Sequence, residues 1–211
     1  MSDPARIFLI RHGETEWNRE EVFRGRKDIP LGERGLGQAR LLAERLRGTR
    51  LEAVYSSPLQ RALQTARAIA AGAEVRAVDG LVDMSYGEWE GLPLTEVQAR
   101  WADLYALWQE RPESFEAPSG ETLEAVLARA LPALEAIAQA HGAGSVAVVS
   151  HRVVNKVLLC AILGLDDSHF WEIRQDTACL NVIERDEAIW IVRLLNDTCH
   201  LRELGADRRD F

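Results

Sequence analysis

The stretch RHGETEWN at 11–18 sets a cation, an imidazole and a glycine side by side. Arg11 carries a planar fork of donors that can pair two oxygens of one anion. His12 is an imidazole that can attack or accept a proton near neutral pH. Gly13 lets backbone come close to a ligand. A second histidine, His151, closes the run SVAVVS at 145–150 and is followed by Arg152, and another arginine, Arg61, lies in SSPLQRALQTA at 56–66. Two imidazoles among arginines suit phosphoryl transfer, in which negative charge spreads over several oxygens and catalysis depends on positioning and on N–H donors. A metal-free version also needs an acid for the departing alkoxide. Alone, a strand-end histidine reads as a side chain satisfied by a nearby carbonyl; its neighbours make the functional reading the stronger one.

These residues sit at the ends of short apolar runs that alternate with segments of helical period, the pattern of an α/β domain. Ile7–Ile10 reads as a buried strand ending at Arg11 and His12, and 145–150 as another ending at His151. Further strands are expected at Ala53–Ser56 and Glu74–Val78, with an antiparallel pair at Cys179–Glu184 and Ala188–Leu194. Helices are expected over 35–47, from Pro58 to about Ala71, at 94–110, at 121–141 despite Pro132, and after His151 to Leu163. The segments before Pro30 and from Leu81 to Gly91 read as loops. Ligands of open α/β sheets gather at the carboxyl ends of strands, where both histidines fall.

The 211 residues, 47% hydrophobic and 27% charged, describe one globular domain, with no repeat or interdomain linker. A net charge of -8 argues against nucleic acid as a standing partner and requires any phosphate site to concentrate its arginines locally. The amino terminus lacks signal-peptide character, and the apolar run 157–165 is too short to cross a bilayer, so no membrane partner is expected. Three widely spaced cysteines, Cys160, Cys179 and Cys199, suggest neither a disulfide framework nor a zinc site. No His, Asp or Glu cluster has metal-ligand spacing. The expectation is a cytoplasmic protein without metal or other cofactor.

The order of motifs resembles the histidine phosphatase superfamily, the branch holding cofactor-dependent phosphoglycerate mutases and broad-specificity phosphatases. RHGETEWN, SSPLQRALQTA, GEWEG at 87–91, PSGET at 118–122 and VVSH at 148–151 fall in that family's sequence and cover most of the chain. The resemblance implies a phosphoglycerate mutase-like three-layer α/β/α sandwich around a mostly parallel sheet. It implies that His12 attacks phosphorus and becomes a phosphohistidine, that Arg11, Arg61 and a protonated His151 surround the phosphoryl oxygens, and that Asn18 is a further donor. The general acid would be Asp83, four residues before Gly87, where related chains carry glutamate. Aspartate is shorter by one methylene, so the backbone or a water must compensate. Glu88 and Glu90 are the alternatives nearby.

Mutase and phosphatase share the transfer to His12 and part at the second half-reaction. Leu94 stands where mutases of this family carry a lysine, and Val153 where an asparagine is expected. These losses favour a phosphatase of small phosphorylated metabolites, with a mutase as runner-up. A protein phosphatase or a non-catalytic phospho-ligand-binding module are the remaining readings. Arg24, Gly25 and Arg26 on the loop after the signature, together with Arg152, are candidates to hold a second anionic group. The segment 92–117 is a candidate lid; its Trp101, Tyr105 and Trp108 read first as a packing stripe. A homodimer is the default assembly.

Overall fold

The computed structural model describes residues 4–204. Six strands, β1 (Ala5–Arg11), β2 (Ala53–Ser56), β3 (Glu74–Ala77), β4 (Ser145–Ser150), β5 (Leu180–Asp186) and β6 (Ile189–Asp197), form one sheet in the order β3-β2-β4-β1-β5-β6. The pairs β3–β2, β2–β4 and β4–β1 are parallel, whereas β5 and β6 run antiparallel. The central strands are covered on both faces, which is why β1 and β4 read as unbroken apolar runs. Ile7, Leu9, Val146 and Val148 face Val126, Leu134 and Ile137 of α6 (Leu123–His141) and Val154, Val157 and Leu158 of α7 (Arg152–Leu163). Phe8, Ile10, Ala147 and Val149 face Leu42 of α2 (Glu33–Arg45) and Ala62, Ala66 and Ile69 of α3 (Gln60–Ile69). The alternation of successive side chains along each strand thus builds two cores and the three layers implied by the resemblance.

The chain leaves β1 through α2 on one face and leaves β4 through α7 on the other. Because β1 and β4 are neighbours, the chain leaves their paired carboxyl ends towards opposite faces, the usual setting of a ligand crevice in such sheets.

Beyond shifts of a few residues at the ends of elements and a 3-10 turn at Gly87–Trp89 in the expected loop, local structure departs from the sequence-based expectation in three places. Helix α3 starts at Gln60 and not at Pro58, because Leu59 keeps an extended backbone (φ -71, ψ 140) and caps the helix. The helix expected at 94–110 is two, α4 (Leu94–Arg100) and α5 (Ala102–Glu110), broken at Trp101 with φ -136 and ψ 51. There the Trp101 ring packs on Trp89 while Arg100 covers it at 4.2 Å. A single helical turn, α1 (Glu16–Arg19), occupies a stretch expected as loop, held by a capping box between Thr15 and Asn18. Pro132 is accommodated on the exposed side of α6, where water can serve the carbonyl that loses its N–H partner.

Candidate active site

Strand register brings the histidines together. Arg11 pairs with Ser150 across β1 and β4, and the His12 N–H adds one more bond to the Ser150 carbonyl at 3.0 Å. His151 caps α7 in the next position of β4. The two imidazole centroids lie 5.1 Å apart, and both side chains are buried. His12 Nδ1 lies 2.7 Å from the Gly13 carbonyl oxygen, which can only accept, so Nδ1 carries the proton and Nε2 keeps its lone pair. Burial first, then the charges of Arg61, His151, Arg11 and Arg24, hold His12 well below the usual histidine pKa. A neutral imidazole with a fixed tautomer is the form that can attack phosphorus.

His151 is held from behind by Ser57, whose Oγ lies 2.7 Å from Nε2. Its buried Nδ1 makes no hydrogen bond and stands 3.4 Å from Asp83 Oδ2. Burial and the same arginines push this imidazole well below its usual pKa too, and Arg129 adds to the effect. The protonated His151 expected from the resemblance is therefore opposed by its surroundings. A phosphoryl dianion between the rings would act in the other direction.

Arg61, fully buried in the first turn of α3, donates from Nη1 to the Lys27 carbonyl at 2.9 Å. Its Nη2 donates to the Gly25 carbonyl at 2.8 Å and to Asp83 Oδ2 at 3.0 Å. Its buried Nε makes no hydrogen bond. Arg11 donates from Nη1 to the Gln175 carbonyl at 2.7 Å, which ties the end of β1 to the loop before β5. Asp83 is nearly buried, and its Oδ1 accepts from the Met84 N–H at 3.0 Å.

Of these groups His12 and Asp83 line a cleft, together with Val22, Phe23, Arg24, Gly25, Tyr86, Arg152 and Val153, whereas Arg11, Arg61 and His151 lie behind its wall. Gly25 has φ +50, and a Cβ there would run into the Glu90 carboxylate. Glycine is needed both for the turn and for that close approach. Arg24 and Arg26, adjacent candidates in the sequence, part company here. Arg24 lines the cleft, whereas Arg26 is exposed and pairs with Glu121 at 2.8 Å. Asn18 caps α1, its Oδ1 accepting from the Thr15 N–H at 2.9 Å, so only its amide nitrogen can donate to an anion. Of the aromatic stripe, Trp108 is fully buried against Phe115, Phe170 and Trp171, and Trp101 and Tyr105 pack on Trp89.

Sequence reasoning missed Tyr86 and Ser57. Burial raises the Tyr86 phenol to about 12, with Arg152 as the leading opposing charge. Ser57 lies inside SSPLQRALQTA and Tyr86 immediately before GEWEG, and only their contacts distinguish them from their neighbours. Thr65 and Gln38 were also missed; they hold the Gly13 and Glu14 N–H groups at 3.1 and 2.7 Å. Among the described residues, no group of three or more His, Cys, Asp or Glu is arranged to hold a metal ion, and no helix is long and apolar enough to cross a membrane.

The site thus sets a buried, tautomer-fixed imidazole at a sheet switch point among arginines, with a carboxyl beside the second histidine. Residues 7–198 match the histidine phosphatase superfamily (branch 1). The chain belongs to that family and is a phosphatase of it. It is 37% identical over 201 residues to phosphoserine phosphatase 1 of Hydrogenobacter thermophilus, covering 94% of this chain and 95% of the relative. It is 28% identical to the adenosylcobalamin/alpha-ribazole phosphatase of Escherichia coli over 90% of this chain and 95% of that protein. Among solved structures, YhfR of Bacillus stearothermophilus superposes with a TM-score of 0.90 at 30% identity, covering 93% and 99% of the two chains. A phosphoserine phosphatase of Entamoeba histolytica in complex with phosphoserine gives 0.84 at 25% identity, covering 93% of this chain and 99% of that one.

Proposed function

We propose that this chain hydrolyses small phosphomonoesters bearing a second anionic group, without a metal, through a phosphohistidine on His12. The observation that carries the reading is the Nδ1–H bond of His12 to the Gly13 carbonyl, which directs the Nε2 lone pair to the reaction. In the first step Nε2 attacks phosphorus, the ester P–O bond breaks, and the leaving oxygen takes the proton of the Asp83 carboxyl. Arg11, Arg61 and His151 receive the charge on the phosphoryl oxygens. In the second step water attacks the phosphohistidine and gives a proton to the Asp83 carboxylate. The P–N bond breaks, and phosphate leaves with His12 and the protonated Asp83 restored.

Arg24 is among the charges that depress both histidines, which suits it to the transferred group. Arg152 acts on Tyr86 and stacks 5.6 Å from the Trp171 ring centroid, at the wall of the cleft. It is the group for the second anion. The likeness to two phosphoserine phosphatases supports a phosphorylated carboxylic acid of the phosphoserine class. The apolar Val153 in the cleft, in place of a polar donor, weighs against a mutase. Its free cysteines, Cys160, Cys179 and Cys199, suit a reducing cytoplasmic setting.

The test is phosphate release from a panel of phosphomonoesters, including phosphoserine, 3-phosphoglycerate and sugar phosphates, with chelator present and His12→Ala alongside. Chelator-resistant release that requires His12 is expected, fastest with the phosphorylated acids. Conversion of 3-phosphoglycerate to its 2-isomer with little free phosphate would establish a mutase in its place.

A further inference from the structure

The backbone around Asp83 is held chiefly by one guanidinium remote from the cleft, with Arg26 Nε adding a longer 3.4 Å bond to the Asp83 carbonyl. Arg129 of α6 donates from Nη1 to the carbonyls of Gly80 at 2.9 Å and Val82 at 2.7 Å, and from Nη2 to that of Asp83 itself at 3.1 Å. Its Nε and Nη2 reach the two carboxylate oxygens of Glu121 at 3.0 and 3.1 Å. An arginine has five N–H donors, and all of them are used. Glu121 in turn brackets the far side of the loop: its Oε2 accepts from the Ser85 N–H and its own N–H donates to the Ser85 carbonyl, each at 2.9 Å. Gly80 permits the arrangement, since a Cβ there would sit 2.8 Å from the Arg129 carbonyl oxygen.

We propose that Arg129 and Glu121 are positioning residues that set the reach of the Asp83 carboxyl to the leaving oxygen. This rests on the reading of Asp83 as the acid. A side chain one methylene shorter than glutamate has less slack with which to correct a displaced backbone. The clamp fixes that backbone on both sides of Asp83, while the Arg61 hydrogen bond at 3.0 Å aligns its Oδ2. Misplacing a reacting group by about 1 Å can cost on the order of 100-fold. The geometry of the clamp therefore bears on catalysis although neither residue lines the cleft. Lysine cannot replace Arg129, because its three donors radiate from a single nitrogen and cannot serve three carbonyls and a carboxylate.

The experiment measures kcat/KM, which reports the transfer to His12, for alkyl and aryl phosphates spanning a wide range of leaving-group pKa. The full chain, Arg129→Lys, Glu121→Gln and Asp83→Asn are compared. Arg129→Lys is expected to lose about 10- to 100-fold on alkyl esters and less than about 3-fold on p-nitrophenyl phosphate, whose departure needs little protonation. The plot of rate against leaving-group pKa then steepens towards that of Asp83→Asn. Glu121→Gln should steepen it less, and it decides the matter if Arg129→Lys does not fold. A uniform loss across all esters, or none, in the folded clamp variants while Asp83→Asn steepens the plot would overturn the clamp alone. An unchanged slope in Asp83→Asn would overturn the acid assignment and the clamp with it.

Discussion

Nη2 of Arg61 donates to Oδ2 of Asp83 at 3.0 Å, with both side chains at 9% exposure or less. In the proposed mechanism the cation for the phosphoryl oxygens and the carboxyl for the leaving oxygen are thus held as one unit, and a phosphoryl group bound by Arg61 would have Asp83 beside it from the outset.

Arg61→Lys keeps the charge but loses the fork that serves Gly25, Lys27 and Asp83 together. A fall in kcat/KM of about 100- to 1,000-fold is expected, the scale of losing one preorganised donor at a developing charge. Steady-state kinetics on the best ester of the panel measures it. Arg61→Met leaves Asp83 without its cation and should also destabilise the fold by about 3–5 kcal/mol, read from the denaturant midpoint.

Stability should fall in acid. His12 and His151 are held well below the usual histidine pKa of 6.5 when folded. Between those depressed values and the usual one, the unfolded chain binds more protons than the folded one. Stability is therefore fully present above the usual value and is lost as pH falls below it, by up to about 1.4 kcal/mol per pH unit for each histidine. Calorimetric Tm at a series of pH values checks this. Phosphate should raise Tm more at about pH 5 than at about pH 8, because its charge favours protonated imidazoles. A pH-independent Tm in this window would contradict the burial of both rings as neutral groups.

Gly25→Ala tests the turn that separates Arg24 from Arg26. The substitution puts a side chain at φ +50 and drives it into Glu90, whose Oε1 serves the N–H groups of Arg26 and Tyr86, each at 3.1 Å. The cost should be about 1–3 kcal/mol, since a left-handed backbone and a clash are combined. Activity should fall as well, because the Gly25 carbonyl anchors Arg61. Urea titration and phosphate release on one preparation read both effects.

Arg152→Leu separates substrate recognition from chemistry. KM for phosphoserine or 3-phosphoglycerate should rise about 10-fold or more, the worth of one charge-assisted contact, while a phosphomonoester without a second anion changes little. Equal losses on both ester types would place Arg152 with the phosphoryl group instead.

The strands and the motif residues were legible in the sequence because each depends on a short stretch of chain. Ala53–Ser56 and Ser145–Ser150 came out with the expected bounds, since a strand buried on both faces leaves an unbroken apolar run. The break at Trp101 was not legible, because a continuous helical period across 94–110 hides a backbone decision made by packing on Trp89. The one-turn helix at Glu16–Arg19 is too short to show any period.

By itself, then, the sequence determined the α/β alternation, the histidines at two strand ends and the family-ordered motifs, all written locally. Which of the two loop arginines reaches the cleft depends on the folded chain. Arg24 and Arg26 look alike in FRGRKDIPL, but the positive φ at Gly25 turns the chain between them, leaving one at the cleft and the other on Glu121. Arg129 carries no sign of its role, because the carbonyls it holds lie 46 to 49 residues earlier in the chain. A hydrogen-bond partner is a matter of distance in space, and only the folded sheet and its helices bring those groups within reach.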